Sequence, residues 1–434
     1  MRALYAAKII EALNKANGFL SERRVFLYSL ALMIITCTLL VKVYVQAARM
    51  GEKPGADFVQ FYTAAVLTRV SPEKVYDADA QIELQRQFSP AQFKGIHWPY
   101  LHAPFFTILL IPLGFFSYTV AYWIWITTIV LLYFLSIGIL WKCCQPKQPP
   151  LGLALAIGGA APVLYWLTTT GHSTAIALFF WTVGFYLLKR QRVLCSGFIF
   201  AFLSYRAQYL IALLPLLIFR RMGRAIVGIA AGLFLLIGIG GVVFSFDSYL
   251  KYIDAITNLS HRIATQAQPL SFYVTLYGFF RPLLPQAWAV TCTIATALLL
   301  VYWLLQTWRV AVPLRSNGFD LQYAMLVTTT LLLMHHGFVY DLLLLTIPVL
   351  LMYPHRALFP PYYKILLILI YITPYLLLLF RSKLRMNPVQ PLLFWLCFEL
   401  YRANLKLRPP SSRDVNRRTD NGSVPNPLEA PRPH

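Results

Sequence analysis

The segment from Gly55 to Ala65, GADFVQFYTAA, carries one carboxylate, Asp57, which aromatic residues follow at short spacing. Asp341 has a similar apolar and aromatic setting in MHHGFVYDLLLL. Both lie at the boundary of a predicted membrane span, where burial would raise a carboxyl pKa toward the value that a general base needs. Each could equally be an ordinary interfacial Asp, and the spacing alone leaves both interpretations open.

Arg206 lies in LSYRAQYL, between two apolar half-length helical segments. An arginine in such a position is costly unless it faces a polar cavity or an anion, and phosphate is a natural partner for its planar group of donors. The alternative is that the side chain only extends to the membrane–water interface on the outer side. The break in the apolar run favours the polar cavity.

Histidines mark two further positions. His172 in TTTGHSTAI lies at a predicted outer hairpin tip, where glycine and hydroxyl side chains permit close approach. His336 lies near Asp341, although it and His335 could simply be interfacial histidines. Because the sequence has no HxxxH motif and no cluster of carboxylates at ligand spacing, it predicts no bound metal and no cofactor.

The elements that position these residues follow from composition. The chain has 434 residues, of which 58% are hydrophobic and only 12% charged, whereas soluble domains carry about a quarter charged residues. Apolar runs of about 20 residues recur, and the need to satisfy every backbone group in lipid makes them helices. The predicted fold class is an all-α polytopic membrane protein with ten to twelve spans.

The net charge of +22 is interpreted as a consequence of membrane topology. The Lys and Arg residues lie in short clusters between spans and in the tail, which is the pattern of a topology signal and attracts anionic membrane lipids. A nucleic-acid partner is therefore not predicted. A P-loop, a dinucleotide fingerprint and a soluble nucleotide-binding domain are all absent from the sequence.

The charge pattern predicts three regions. Residues 1–24 form a cytoplasmic amphipathic segment, residues 25–401 the transmembrane domain, and residues 402–434 a disordered, basic cytoplasmic tail. Two long loops, 48–102 and 245–286, are placed outside the membrane.

Most spans follow from apolar runs alone. The segment 104–116 is too short to cross and is predicted to be re-entrant or interfacial. The segment 193–219 is predicted to be a hairpin with Arg206 at its outer turn, since a single span would leave the basic cluster at 220–224 outside. The remaining predicted spans are 25–45, 118–141, 151–167, 175–188, 226–244, 287–305, 321–334, 342–352, 362–380 and 389–401.

The sequence resembles glycosyltransferase family 87 from about Arg24 to Pro354. This family consists of polytopic enzymes of the GT-C superfamily that use polyprenyl-phosphate-linked mannose or a related sugar. The first matching motif is Asp57 to Ala65, and the last is the His-x-x-x-Tyr-Asp-Leu stretch from His336 to Leu342. In between, Gly171-His172 replaces a Gly-Gln turn of the family and Arg206-Ala207 replaces a Lys-Pro turn.

The resemblance implies a GT-C-like bundle with an outward-facing cavity, an inverting displacement, and Asp57 as the general base. It places Arg206 and His336 on the donor phosphate, so that no metal would be needed. It implies substrate contacts from four further residues, namely Tyr62, His172, Tyr340 and Asp341. The implied partners are a polyprenyl-phosphate sugar donor and an acceptor that is a glycolipid, a polysaccharide or a protein.

The resemblance also implies a multi-pass protein of a bacterial inner membrane, with the active site facing the periplasm or the cell exterior. One alternative is a transporter or flippase of a lipid-linked sugar, and another is a lipid-binding scaffold without activity. Transporters usually show internal repeats and ionisable groups at the bilayer midplane. This sequence shows no convincing repeat, and its candidate groups cluster at the outer edge, which favours an enzyme.

Overall fold

The computed structural model describes residue 11 and residues 20–88, 97–144, 149–263, 272–380 and 386–407. Most of the predicted amphipathic segment 1–24 lies outside these residues, as does the predicted disordered tail from residue 408 onward. Within the described residues the regular structure is helical, and β pairing is limited to one isolated bridge between Tyr273 and Phe338. The all-α fold class is therefore confirmed.

The α-helices of the described chain are α1 (Glu22–Arg49), α2 (Phe58–Val70), α3 (Ala78–Phe88), α4 (Pro104–Leu110), α5 (Tyr118–Cys143), α6 (Leu151–Gly159), α7 (Pro162–Thr170), α8 (Thr174–Lys189), α9 (Val193–Ala201), α10 (Leu213–Phe219), α11 (Gly223–Phe244), α12 (Asp247–Ile263), α13 (Leu276–Phe280), α14 (Gln286–Arg309), α15 (Asn317–Leu333), α16 (Thr346–Met352), α17 (Tyr363–Leu379) and α18 (Val389–Lys406). Short 3₁₀ segments continue or link some of them, at Pro72–Lys74, Ile111–Phe115, Phe202–Leu210, Val339–Leu345 and Tyr353–Leu358. The basic tail predicted from residue 402 thus begins inside α18.

Several helices have the length and apolar composition of membrane spans. Six in the described chain are long and apolar enough to cross a membrane: α1, α5, α11, α14 and the runs 193–210 and 339–358. The pair α6 and α7, bent by 52°, would be a seventh, and shorter apolar helices lie at 104–115, 174–189 and 363–379. On α11, Phe234 and Val242 are each 83% exposed, so they suit contact with lipid tails. The protein is polytopic, and the count of ten to twelve spans stays a prediction.

The hairpin predicted around Arg206 is present. Arg206 has φ −134° and ψ 92°, which interrupts the helical run between α9 and α10. Lys189, just before α9, donates to the Ser316 carbonyl at 3.2 Å, and Arg220, just after α10, donates to the Trp308 carbonyl at 2.8 Å. Both ends of the hairpin therefore meet the connection between α14 and α15, and Arg206 lies at the turn.

The segment 48–102, predicted as an outer loop, is largely helical. It contains α2 and α3, and Phe58 and Phe61 on α2 are fully buried. The aromatic residues of α2 remove their surface from water by packing against α4 and its 3₁₀ extension. The second predicted loop, 245–286, contains α12 and α13, while residues 264–271 lie outside the described residues.

Helix α15 is the buried centre of the fold. Almost every residue from Phe319 to Leu332 is buried, and α14, α16 and α18 pack around it. Most of these residues are apolar, as is expected of a helix that is surrounded by others. Its last turn leads directly to His336, so this buried helix holds one wall of the candidate site.

Candidate active site

The candidate residues lie where helices begin, end or break. Asp57 precedes α2, His172 lies between α7 and α8, and Arg206 lies at the hairpin turn. Asp341 lies in the 3₁₀ segment that follows α15. Because the ends of several helices meet here, side chains distant in sequence share one polar cluster.

Asp57 is held by its backbone, whereas one of its carboxylate oxygens is left free. Its amide N–H donates to the Thr170 carbonyl at 2.8 Å. The side chain is only 6% exposed, and Oδ2 has no hydrogen-bond partner among the described residues. Burial raises the pKa of this carboxyl to about 7, although the charge of Arg206 and a hydrogen bond with Thr170 oppose the shift. A free carboxylate oxygen with a near-neutral pKa suits a general base.

Two glycines allow the chain to approach Asp57 closely. Gly55 has φ +94° and Gly171 has φ +74°, a conformation that residues with a side chain rarely adopt. A Cβ at Gly171 would lie 2.7 Å from the Cβ of Phe58, and one at Gly55 would lie 2.8 Å from the same atom. The turn before α8 can therefore lie against the start of α2 only with glycine at these positions.

Asp341 is saturated with hydrogen bonds. Its Oδ1 accepts from the hydroxyls of Thr174 and Tyr209, each at 2.9 Å, and from Nη1 of Arg206 at 3.5 Å. Its Oδ2 accepts from the Phe338 backbone N–H at 2.9 Å. The side chain is fully buried. These contacts give this carboxylate the role of anchoring other groups of the site.

The Arg206 guanidinium makes hydrogen bonds with some of its N–H groups and leaves others without a partner among the described residues. Nη1 lies 3.2 Å from both Nε2 of His172 and the hydroxyl of Tyr209, and Nη2 donates to the His336 carbonyl at 3.2 Å. Among the described residues, Nε–H and one Nη2 hydrogen have no partner. Two adjacent guanidinium donors match the geometry of a phosphate.

His172 connects the arginine to the anchoring carboxylate. Since arginine can only donate, Nε2 of His172 accepts from Arg206, and the ring proton lies on Nδ1, which donates to Thr174 at 2.7 Å. Burial, reinforced by the charge of Arg206, holds the pKa of His172 well below its usual range, so the ring is neutral. The ring also stacks on Tyr340 with centroids 3.7 Å apart. One acceptor and one donor reproduce what a glutamine amide would offer here.

His336 and Tyr62 occupy different surroundings. The His336 carbonyl accepts from Arg206 and from Gln208, while burial and then the charge of Arg206 lower the pKa of its imidazole to about 3. This ring is therefore neutral and can offer a hydrogen bond but no positive charge. The Tyr62 hydroxyl donates to the Phe116 carbonyl at 2.8 Å. Among the described residues it does not contact the polar cluster, so its substrate contact stays a prediction.

Some members of the cluster were not predicted from the sequence. Thr174 and Tyr209 supply hydrogen bonds that hold His172, Arg206 and Asp341. Gln208 donates to the His336 carbonyl. The only sequence signal of these three residues is a position two or three residues from a predicted site residue. Across the described chain, no group of three His, Cys, Asp or Glu side chains could hold a metal ion.

Comparison with known proteins identifies the family. The profile of glycosyltransferase family 87 matches residues 100–334, which is more than half of the chain. The comparisons with curated proteins and with solved structures gave no significant match. The matched region contains His172 and Arg206, whereas Asp57 precedes it and Asp341 follows it. The chain belongs to glycosyltransferase family 87 and is a membrane glycosyltransferase.

Proposed function

We propose that the protein transfers a sugar, mannose, from a polyprenyl-phosphate donor to an acceptor hydroxyl at the outer face of a bacterial inner membrane, with inversion. Family membership supports the transferase activity over a transporter or an inactive scaffold. The observation that carries the proposal is the free, buried Oδ2 of Asp57 within electrostatic reach of Arg206. Among the described residues, the hydrogen bonds of this guanidinium come from Nη1 and Nη2, which leaves Nε–H and one Nη2 hydrogen for a substrate.

The proposed chemistry is one displacement. Oδ2 of Asp57 takes the proton of the acceptor hydroxyl, and the hydroxyl oxygen forms a bond to the anomeric carbon of the donor. The bond between this carbon and the phosphate oxygen breaks at the same time, and polyprenyl phosphate leaves with the bonding electrons. A single displacement inverts the anomeric configuration, and a base with a pKa near 7 is matched to neutral conditions.

The negative charge that grows on the leaving phosphate requires a fixed positive partner. Asp341 and Tyr209 hold one edge of Arg206, so the guanidinium is oriented before the donor arrives. Donors that are already oriented toward developing charge stabilise it without a cost of reorganisation. We assign the two free donors of Arg206 to the phosphate, and the neutral imidazole of His336 to an additional hydrogen bond.

The remaining substrate contacts follow from positions around this cluster. Tyr340, stacked on His172, is in electrostatic reach of Asp57 and would border the reacting sugar. Asp341 acts on the substrate through Arg206. Since the protein cation neutralises the phosphate, the proposed reaction has no metal step.

The proposed function is tested by incubating the purified protein with polyprenyl-phosphate mannose and a panel of glycolipid, polysaccharide and peptide acceptors. We expect a mannosylated product and an equal amount of free polyprenyl phosphate, with the anomeric configuration opposite to that of the donor. Movement of intact donor across vesicles without a product would favour a flippase. A product of retained configuration would contradict the single displacement.

A further inference from the structure

His102 is a buried histidine with no assigned role, in the segment before α4. Its side chain is 5% exposed, and among the described residues neither Nδ1 nor Nε2 has a hydrogen-bond partner. Its backbone carbonyl, in contrast, accepts from the Tyr76 hydroxyl at 2.7 Å. Burying polar atoms without partners is unfavourable, and exceptions of this kind call for an explanation such as a ligand.

His102 lies between the two elements that carry the proposed chemistry. Its ring contacts Phe61 edge to face, with centroids 5.1 Å apart, and stacks against Tyr205 at 5.8 Å. Phe61 is one helical turn after Asp57 on the same face of α2. Tyr205 immediately precedes Arg206. The imidazole therefore lies between a side chain one turn after Asp57 and the residue that precedes Arg206.

The charge state of His102 and the aromatic rings around it are compatible with a sugar ligand. Burial, reinforced by the charge of Arg206, holds the pKa of His102 well below its usual range. A neutral imidazole has one donor and one acceptor, which is what a sugar hydroxyl can also offer in return. The rings of Phe61, Phe106 and Tyr205 pack around the imidazole. Aromatic side chains with a few polar groups among them are typical of ligand sites.

We propose that His102 binds a hydroxyl of the donor's sugar ring and so positions the anomeric carbon between Asp57 and Arg206. This proposal rests on the proposed function, because it assumes a lipid-phosphate sugar in this site. Ser173 provides a second free group nearby: its Oγ is buried without a partner among the described residues, and its carbonyl accepts from Tyr205 at 3.1 Å.

The test compares the affinities of two lipids, polyprenyl-phosphate mannose and sugar-free polyprenyl phosphate. Both are measured with the wild type, His102→Phe and His102→Gln. The wild type should prefer the mannosylated lipid, and His102→Phe should lose about 3- to 10-fold of that preference, as for one neutral hydrogen bond. The affinity of His102→Phe for the sugar-free lipid should not change. His102→Gln should keep part of the preference, because an amide also donates and accepts.

A matched control separates this effect from damage to the fold. His355 is also buried, at 8% exposure, and its Nε2 also lacks a hydrogen-bond partner among the described residues. It lies beside Asp320, which also pairs with Lys189, away from the proposed site. His355→Phe should leave the preference for mannosylated lipid unchanged. His102→Phe should melt no lower than the wild type, since it removes two unpaired polar atoms from an aromatic cluster.

Each contrary result has a separate meaning. A His102→Phe variant that retains the full preference for the mannosylated lipid would overturn the role of His102. A wild type that binds both lipids equally would overturn it as well, while leaving phosphate binding intact. Failure of the wild type to bind either lipid would instead contradict the proposed donor, and the proposal for His102 would fall with it.

Discussion

Two aspartates with the same kind of sequence setting have different surroundings in the structure. Asp341 has four hydrogen-bond donors, two of which, Thr174 and Tyr209, are 167 and 132 residues away in sequence. Asp57 retains a free oxygen. The sequence predicts that both carboxylates lie at span boundaries, but it cannot distinguish them, because the distinction depends on which distant side chains the fold brings to each.

Asp57→Asn should stabilise the protein above neutral pH. The carboxyl pKa is about 3.9 in an unfolded chain and about 7 in the folded protein. The folded state therefore holds the proton more tightly, and stability falls as the pH rises between these values. Asparagine removes this cost. The melting temperature of the variant should exceed that of the wild type at pH 8, and the difference should shrink toward zero near pH 4.

A difference that does not depend on pH would show that Asp57 does not carry the raised pKa. The parallel variant Asp247→Asn provides the control, because this Asp has a half-exposed side chain in a surface pair with Lys251. Such a pair contributes little to stability.

Arg206 variants test whether its planar group of donors matters. Arg206→Lys keeps the charge and loses the two-pronged geometry, so donor affinity should be only partly impaired, as the lysine found at this turn in the family suggests. Arg206→Gln removes the charge and should weaken binding of polyprenyl-phosphate mannose severely. The measurement is donor affinity with thermal stability for the three proteins side by side. Normal donor binding by the glutamine variant would remove Arg206 from the site.

Among the secondary-structure elements, breaks in the apolar helices were easier to predict than the helices buried in segment 48–102. The charge rule required a hairpin at Arg206, and this hairpin is present. The segment 104–116 forms a short helix with a 3₁₀ extension, whereas its re-entrant or interfacial position stays a prediction. The helices of segment 48–102 were not predicted. Their aromatic residues signal burial, but the sequence does not show that α4 and α5 provide the surface that buries them.

Gly171→Ala should disturb the start of α2. The new Cβ would lie 2.7 Å from the Phe58 Cβ, so Phe58 and with it Asp57 must move. Small displacements of a catalytic group cost about 10²-fold in rate. Turnover should fall by about this factor while membrane insertion is retained.

Gly51→Ala is the matched control for this prediction. Gly51 also has positive φ, at +65°, but a Cβ there meets no atom within 4 Å. It therefore introduces the same backbone strain without the collision. Equal losses of turnover in the two variants would show that strain, and not the position of Asp57, accounts for the effect.

At the scale of the whole molecule, the amino-acid composition predicts the class of protein but not the shape of the site. Apolar runs of about 20 residues satisfy their backbone groups in lipid by forming helices. The cluster of His172, Arg206 and Asp341 depends instead on how helix ends meet, which composition does not encode. The resemblance to the family indicated which residues to examine, and the structure shows how three of them contact one another.

The predicted orientation places the turn at residues 189–192 in the cytoplasm and the segments 48–102 and 245–286 outside. This follows from the Lys and Arg asymmetry. In a cysteine-free background, a cysteine at Arg190 should react with a membrane-impermeant maleimide only after the membrane is opened. A cysteine at Glu52 should react in intact cells. The reverse pattern would contradict the proposed outward-facing site.

The central claim is that Asp57 is the general base. The most direct test measures the turnover of Asp57→Asn with polyprenyl-phosphate mannose at saturating donor, with Asp341→Asn in parallel. The change of Asp57 keeps size and hydrogen-bonding capacity but removes the basic oxygen, so turnover should fall by about 10²- to 10⁴-fold with donor affinity retained. Asp341→Asn should mainly weaken donor affinity, because it loosens Arg206. Near-normal turnover of Asp57→Asn, together with loss of turnover in Asp341→Asn at full donor affinity, would contradict the account.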